Sequence, residues 1–291
     1  IPTKRPKKTY IGKNSEHREK MGDCDQCVKE EETPLKPHFV LIHGIGGGSW
    51  CWYKLKSMMY NSGYKVTCID LKGSGIDPTD PNTILSFDEY TKPLLDFLSS
   101  LPHDQKVILV GHSAGGLNIT LATYKFPNKI SAAIYVAATM LKNGLLTEQD
   151  TKDGVPDLSE YGDAYDLVFG LGANQPPTSA CIKKELLRKI SYHMSPLEDY
   201  ILASMLLRPG PLCAILNARF PEANESIEKV PRVYIKTMYD NVVKPHQQDS
   251  MIAKWPPSQV YVLESDHHPN FSSPFALFGL FAKVAASIGY N

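Results

Sequence analysis

One segment near the middle of the chain strongly limits the fold that the chain can adopt. Lys106–Val110 has the sequence KVILV, typical of a buried strand, and Ala114–Phe126 has the apolar spacing of a helix. Between them lies the G-x-S-x-G sequence GHSAG, with Ser113 at its centre. In this setting the motif predicts a tight turn that lifts the serine hydroxyl clear of a sheet and places it at a helix N-terminus. Ser113 is therefore the candidate nucleophile, and an ordinary glycine-rich turn is the alternative.

The alternation of strands and helices extends along most of the chain from His38 onward. Such alternation predicts the α/β class, with a mostly parallel sheet covered by helices on both faces. It lapses between about 140 and 230, where Gly, Pro and Met accompany short helical stretches, so we expect one domain over 36–291 with an inserted helical cap. The predicted strands are His38–His43, Tyr64–Asp70, Lys106–Val110, Ile130–Ala137, Arg232–Thr237 and Gln259–Leu263; the predicted helices are Ser49–Asn61, Phe87–Ser100, Ala114–Phe126, Ile182–Ile190, Pro196–Leu207, Pro245–Lys254 and Pro274–Ile288.

Residues 1–35 differ from the rest of the chain because they are polar and lack periodicity, so we expect a disordered N-terminal extension. Residues 1–20 hold seven basic and two acidic side chains, and Met21 is a candidate start; on that interpretation residues 1–20 are not native. Cys24 and Cys27 form a C-x-x-C pair. Since no second pair or histidine cluster accompanies them, a plain tail is favoured over a zinc or redox site.

Composition excludes several classes of function. Lys and Arg total 31 and Asp and Glu total 31, so the formal net charge is zero, which argues against nucleic acid as a partner. No apolar run approaches the roughly 18 residues of a membrane-spanning helix, and the start lacks a signal-peptide core. Six cysteines in 291 residues do not indicate a disulfide framework. We expect a soluble, cytoplasmic protein with no membrane partner, and we find no evident ligands for a metal or organic cofactor.

A serine hydroxyl becomes a good nucleophile only when a base accepts its proton, and histidine is the usual base. Among the nine histidines, only His267 and His268 follow a late strand, as the order serine, acid, histidine requires. Spacing alone does not separate the two. The acid is expected at the end of the preceding strand, where Asp240 would fix the imidazole tautomer; Asp249, on the next predicted helix, is the runner-up.

The glycine-rich sequence after the first strand, GIGGG over residues 44–48, supplies the remaining component. It allows backbone N–H groups to face Ser113, and the N–H groups of Ile45 and Ala114 are the expected oxyanion hole for a tetrahedral intermediate. A flexible loop or a phosphate-binding turn is the alternative. It is disfavoured because neither Gly-Lys-Ser/Thr nor G-x-G-x-x-G is present there.

These segments together resemble the α/β-hydrolase superfamily. HFVLIHGIGGGSWCWYKL, GHSAGG, SPLEDYILASMLLRP and SDHHPNFSSP are similar to the plant methylesterase and hydroxynitrile lyase family, from about residue 37 to 288. MLKNGL, DGVPDLSE, PRVYIKTM and WPPSQVY resemble the branch that hydrolyses methyl indole-3-acetate, the methyl ester of auxin. In that family the catalytic histidine follows an aspartate and precedes a proline by seven residues, which selects His267, between Asp266 and Pro274.

The resemblance implies a catalytic triad of Ser113, Asp240 and His267, a cap over the serine, and a homodimer. The family's lyases carry a threonine after the strand-end histidine and a lysine after the catalytic histidine. Here those positions are Gly44 and His268. The lysine charge that would hold departing cyanide is therefore missing, which disfavours lyase chemistry.

The sequence thus predicts a carboxylic ester hydrolase that acts on methyl esters of small plant hormone-like acids, with methyl indole-3-acetate as the first choice. A hormone or small-ligand receptor with little turnover is the alternative from another class. The cap is expected to supply an apolar wall for a small-molecule ester, although each residue concerned is equally typical of plain cap core. These residues are Met140, Leu141, Phe169, Met194, Met205 and Leu206.

Overall fold

The computed structural model describes residues 36–220 and 225–290. The expected disordered extension, the candidate start at Met21 and the C-x-x-C pair lie outside these residues. The strands in these residues are β1 His38–Ile42, β2 Lys65–Ile69, β3 Val107–His112, β4 Ile130–Val136, β5 Tyr165–Val168, β6 Ser179–Ile182, β7 Arg232–Thr237 and β8 Gln259–Leu263. Six of them form one parallel sheet in the order β2-β1-β3-β4-β7-β8, and β5 and β6 form an antiparallel hairpin in the insertion.

Helices fill the connections between the strands, and none in the described part of the chain combines the length and apolar character needed to cross a bilayer. The α-helices are α1 Tyr53–Asn61, α2 Phe87–Ser100, α3 Gly115–Lys125, α4 Glu148–Gly154, α5 Lys184–Ser191, α6 Leu197–Leu206, α7 Leu212–Leu216, α8 Glu225–Glu228, α9 Pro245–Lys254, α10 Pro269–Ser272 and α11 Pro274–Ser287. Short 3₁₀ helices cover Ser49–Trp52, Pro81–Thr83, Pro127–Lys129 and Ser159–Tyr161.

The core has two layers because successive side chains of a strand point to opposite faces of the sheet. On one face, Val40 of β1 belongs to an apolar cluster that includes Leu94 of α2. On the other face, Phe39 stacks on Phe281 of α11, with ring centroids 5.8 Å apart. The predicted architecture, a parallel sheet with helices on both faces, is thereby confirmed.

Most predicted elements are present, with small shifts at their ends. The bounds of β7, α9 and β8 are those predicted. Strand β3 continues to His112, so that Ser113 follows the strand directly. The helix predicted from Ser49 begins instead as a 3₁₀ turn, a frequent form of helix N-terminus, and α1 starts at Tyr53.

The described part of the insertion contains short helices, α4 to α8, as predicted, but it also contains the β5–β6 hairpin, which the sequence did not indicate. Each strand of that hairpin has four residues, YDLV and SACI, too few to show a clear alternation of apolar and polar side chains. The helix predicted from Ile182 consequently begins at Lys184, because Ile182 is the last residue of β6.

Buried polar contacts attach the cap to the sheet domain. The carboxylate of Asp199 in α6 is fully buried; it accepts a hydrogen bond from Tyr53 Oη at 2.7 Å and forms an ion pair with Lys54. Arg208, which follows α6, donates to the carbonyl oxygen of Asp77 at 2.6 Å and to that of Gly75 at 3.2 Å. The cap is therefore anchored at both ends of α6.

Replacing Gly116 with Ala is expected to destabilise the fold by about 1–3 kcal/mol, because overpacking forces the backbone apart. A Cβ at Gly116 would lie 2.4 Å from the carbonyl oxygen of Thr139 and 3.0 Å from Ala138 Cβ. Gly279 in α11 is the matched control, since its Cβ would meet no atom within 4 Å. Gly279→Ala should stabilise the helix by about 0.5–1 kcal/mol. Urea unfolding measures both; equal effects at the two positions would contradict the close packing of α3.

Candidate active site

Ser113 occupies a constrained turn between β3 and α3. Its φ is +54°, in the left-handed region that residues other than glycine rarely adopt. The turn is held by hydrogen bonds from the Ser113 N–H to the Val136 carbonyl at 3.2 Å, and from the N–H groups of Gly116 and Thr139 to the Ser113 carbonyl, both at 3.0 Å. Such strain persists only where the surrounding structure holds it, and it is the geometry that the G-x-S-x-G sequence predicts.

Glycines allow the start of α3 to approach the end of β1. A Cβ at Gly115 would lie 2.5 Å from the carbonyl oxygen of His43, and a Cβ at Gly44 would lie 2.8 Å from Ser113 Cβ. Both distances are shorter than side-chain carbons tolerate. The absence of a side chain at Gly44 therefore leaves room for the Ser113 hydroxyl, which lies only 3.3 Å from that Cβ position.

Asp240 and His267 form a buried pair. The Nδ1 of His267 lies 2.9 Å from Asp240 Oδ2, and the two residues are 4% and 2% exposed. The same carboxylate accepts hydrogen bonds from the N–H groups of Val242 and Val243, at 2.8 and 3.0 Å, and from Thr237 Oγ1 at 2.9 Å. Because a carboxylate only accepts, Nδ1 carries the proton and Nε2 of His267 has a free lone pair. His267 is thus arranged to act as a base.

The other acidic candidates have different partners. Asp249 forms an ion pair with Lys236 near the surface. Asp266 is fully buried, and its Oδ2 accepts from the N–H and the hydroxyl of Ser195 at 2.8 and 2.9 Å, while its Oδ1 accepts from the His268 N–H at 3.0 Å. Asp266 therefore joins the cap to the loop that carries His267, a role that the sequence did not indicate.

Two further buried histidines, His43 and His112, bind nearby backbone and are neutral. His112 Nε2–H donates to the His267 carbonyl at 2.7 Å, and burial together with the neighbouring His267 lowers the pKa of His112 to about 3. His43 Nδ1–H donates to the Gly44 carbonyl at 2.7 Å, and its Nε2 accepts from the Leu71 N–H at 3.1 Å. Burial lowers the pKa of His43 as well. Both side chains position backbone around the serine.

Ser113 and His267 line one cavity of about 430 Å³, together with Gly44, Ile45 and Ala114. Asp240 lies behind His267 and is not part of the wall. Among the hydrogen bonds of residues 36–220 and 225–290, the N–H groups of Ile45 and Ala114 have no acceptor. Two free N–H groups beside a serine hydroxyl are the arrangement that stabilises an oxyanion.

The cap residues predicted to form the apolar wall do not line this cavity, so that part of the prediction is wrong. Met140 and Leu141 are buried in the core, whereas Phe169, Met194, Met205 and Leu206 are 38–72% exposed. An apolar cap residue can face the core, the cavity or the solvent, and composition does not distinguish these. The cap residues that line the cavity are Leu145, Gly154, Val155, Pro156, Tyr165, Asp166, Leu167, Ala180, Cys181, Ile182, Lys184, Leu187, Ser191, Tyr192, Ser204, Leu207, Arg208, Pro209, Leu212, Ile215 and Leu216.

His268 also lines the cavity, next to the base. Its ring stacks on that of Tyr192, with centroids 4.1 Å apart and planes inclined by 9°. Burial and the neighbouring His112 and His267 hold the pKa of His268 well below its usual value. Within the described ranges, no group of three or more His, Cys, Asp and Glu side chains is arranged to hold a metal ion.

Comparison with known proteins finds relatives that share the α/β-hydrolase fold, among them plant methylesterases. Residues 37–176 match a family model described as alpha/beta hydrolase fold. Methylesterase 17 of Arabidopsis thaliana is 58% identical over 269 residues, 90% of this chain and 98% of that protein. Pheophorbidase of Raphanus sativus is 46% identical over 250 residues, 86% of this chain and 94% of that protein. The crystal structure of the methylesterase MES16 from Arabidopsis has a TM-score of 0.78 at 43% identity, covering 86% of this chain and 99% of that one.

Acid is expected to destabilise the protein through its buried histidines. The pKa values of His43, His112 and His268 are lowered from 6.5 in the folded chain, so below about pH 6.5 only the unfolded chain takes up these protons. The free energy of unfolding should therefore decrease as the pH is lowered, by up to about 1.4 kcal/mol per pH unit for each such histidine. Urea unfolding between pH 7 and 5 measures this slope. His112→Gln should reduce the slope by the contribution of one histidine; a slope equal to that of the unsubstituted protein would contradict the prediction.

Proposed function

Because this chain belongs to the plant methylesterase family of α/β-hydrolases, we propose that it hydrolyses methyl esters of small plant hormone-like acids, methyl indole-3-acetate first among them. Its class is that of a carboxylesterase, as the family shows. The observation that carries the proposal is the shared cavity, in which a serine, a histidine oriented by a carboxylate and two free N–H groups meet.

In the first half of the proposed reaction, Ser113 Oγ attacks the ester carbonyl carbon while Nε2 of His267 accepts the hydroxyl proton. The carbonyl oxygen becomes an oxyanion and accepts hydrogen bonds from the N–H groups of Ile45 and Ala114, each worth about 3 kcal/mol of barrier. Asp240 stabilises the imidazolium that forms. The imidazolium then protonates the methoxy oxygen, the bond from carbon to that oxygen breaks, and methanol leaves an acyl-enzyme.

In the second half, water replaces the alcohol. His267 Nε2 accepts a proton from the water as its oxygen attacks the acyl carbon, and the same two N–H groups hold the new oxyanion. The proton then passes to Ser113 Oγ as the bond from carbon to that oxygen breaks. The acid is released, and the serine and histidine return to their initial protonation states.

The size and the apolar wall of the cavity favour an ester with a small aromatic acyl group. Its volume of about 430 Å³ is within the range of small-molecule sites, and its wall is largely apolar, with Leu117, Leu145 and Ile215 among its residues. The branch-specific similarity noted above, in segments such as DGVPDLSE and WPPSQVY, favours methyl indole-3-acetate. The neutral His268, where the family's lyases carry lysine, does not favour the release of cyanide.

Ser113→Ala should lower kcat for methyl indole-3-acetate by about 10⁶-fold, since the nucleophile is removed while the oxyanion donors remain. Steady-state hydrolysis by the purified protein measures it, with methanol release as the readout. The substrate proposal predicts a higher kcat/KM for methyl indole-3-acetate than for methyl jasmonate or methyl salicylate. Retained hydrolysis in Ser113→Ala would exclude Ser113 as the nucleophile; another order of kcat/KM would refute the substrate proposal alone.

Asp240→Asn should lower kcat by about 10⁴-fold with little effect on folding, because an amide can hold the imidazole in the wrong tautomer. Asp249→Asn is the matched control and should keep kcat within about twofold, since only a surface ion pair, of little energetic weight, is lost. The same assay and a melting curve check both variants. If Asp249→Asn lost activity and Asp240→Asn did not, the assignment of the acid would be reversed.

A further inference from the structure

Two ring side chains in the cavity wall carry polar atoms that no described residue engages. Tyr192 is 1% exposed and lines the cavity, and its hydroxyl makes no hydrogen bond within residues 36–220 and 225–290. The imidazole of His268 also lines the cavity, and its nitrogens have no partner in the same ranges; Nδ1 is buried. Because buried polar groups are nearly always paired, such atoms in the wall of a binding cavity indicate a partner on the ligand.

The two rings are held in place by their neighbours. They stack in nearly parallel planes 4.1 Å apart, and Phe271 packs within 6.1 Å of Tyr192 and 5.9 Å of His268, measured between ring centroids. His112 lies 4.8 Å from His268 on the same measure. A side chain fixed in this way loses little further entropy when it binds a ligand, so the polar atoms are preorganised.

Both groups are uncharged at neutral pH. Burial raises the pKa of Tyr192 and lowers that of His268. A neutral imidazole has one N–H and one lone pair, and a phenol hydroxyl both donates and accepts. The pair therefore matches a neutral polar group on the ligand, either a donor or an acceptor, and offers no charge to a second carboxylate.

We propose that Tyr192 and His268 form a hydrogen-bonding subsite that recognises a single ring N–H on an otherwise apolar, aromatic acyl group. The inference rests on the proposed function, and it names the residues that select the substrate. In a largely apolar cavity a ring N–H without an acceptor would stay unpaired. The oxygen of Tyr192 and a nitrogen lone pair of His268 supply acceptors, so an ester that lacks the N–H loses the interaction.

The test compares two esters that differ in one ring atom, methyl indole-3-acetate and methyl benzofuran-3-acetate, in which oxygen replaces the N–H. The full-length protein should favour the indole ester by roughly tenfold or more in kcat/KM. Tyr192→Phe and His268→Phe keep the stacked rings but remove the polar atoms, and each should reduce this ratio several-fold. Tyr200→Phe is the control, because Tyr200 lies 6.3 Å from Tyr192 between ring centroids but does not line the cavity.

A wild-type ratio near one, or a ratio that survives in either cavity variant, overturns the subsite. If the benzofuran ester is hydrolysed with Ser113 as nucleophile, the proposed function stands whatever the ratio. If neither ester is hydrolysed, the proposed function fails, and calorimetric binding of the two esters to Ser113→Ala decides the subsite separately. Tighter binding of the indole ester, lost in the Ser113→Ala/Tyr192→Phe double variant, supports the subsite; equal binding of the two esters overturns it.

Discussion

The close approach of two backbone segments, the end of β1 and the start of α3, is the contact on which the active site depends. Strands β1 and β3 are paired in parallel, with Ile42 opposite Gly111, so the loop after one strand lies beside the turn after the other. A Cβ at Gly115 would come within 2.5 Å of the His43 carbonyl oxygen. The glycines here supply space rather than flexibility, and that space lets the N–H groups of Ile45 and Ala114 share a cavity with Ser113.

The cap also contacts the loops that carry the active-site groups. The N–H of Arg208 donates to the Gly46 carbonyl at 3.0 Å, and a Cβ at Gly46 would lie 2.4 Å from the Arg208 carbonyl oxygen. The loop that offers the Ile45 N–H is therefore packed between the sheet domain and the cap. Asp266 links the cap to the loop that carries the base, because it accepts hydrogen bonds from Ser195 of the cap and from the His268 N–H. The loop that carries one oxyanion donor and the loop that carries the base thus both contact the cap.

The sequence was most informative where a function restricts the local backbone. A nucleophile between a strand and a helix needs glycines around it, and an acid and a base must follow late strands. These requirements predicted Ser113 and Asp240 and left His267 and His268 as candidate bases, between which the family resemblance selected His267. The structure places Ser113 and His267 in one cavity wall and Asp240 against the imidazole. The apolar strands of the sheet were similarly clear, because strands buried on both faces have continuous apolar sequences.

The cavity wall could not be predicted in this way, because side-chain direction in the cap depends on tertiary packing. Leu206 is the last residue of α6 and is exposed, whereas Leu207, one position later, lines the cavity. The contact between Tyr192 and His268 could not be predicted for the same reason. The two residues are 76 positions apart, and only the folded structure shows that their rings stack. Helical spacing could have indicated part of the wall in α5. Leu187 and Ser191 are four residues apart, so they lie on the same face of that helix, and both line the cavity.

Three imidazoles meet beside Ser113, and their surroundings assign them different roles. The ring centroids of His112, His267 and His268 lie 4.7–5.1 Å apart, and the neighbouring His267 contributes to the lowered pKa values of His112 and His268. Only His267 has a carboxylate partner among the three, with its Nδ1 2.9 Å from Asp240 Oδ2. His112 is buried, His268 is half-buried, neither has such a partner, and their pKa values are lowered. A single base is therefore defined among three neighbouring histidines, and the neutral His268 remains available to bind the substrate.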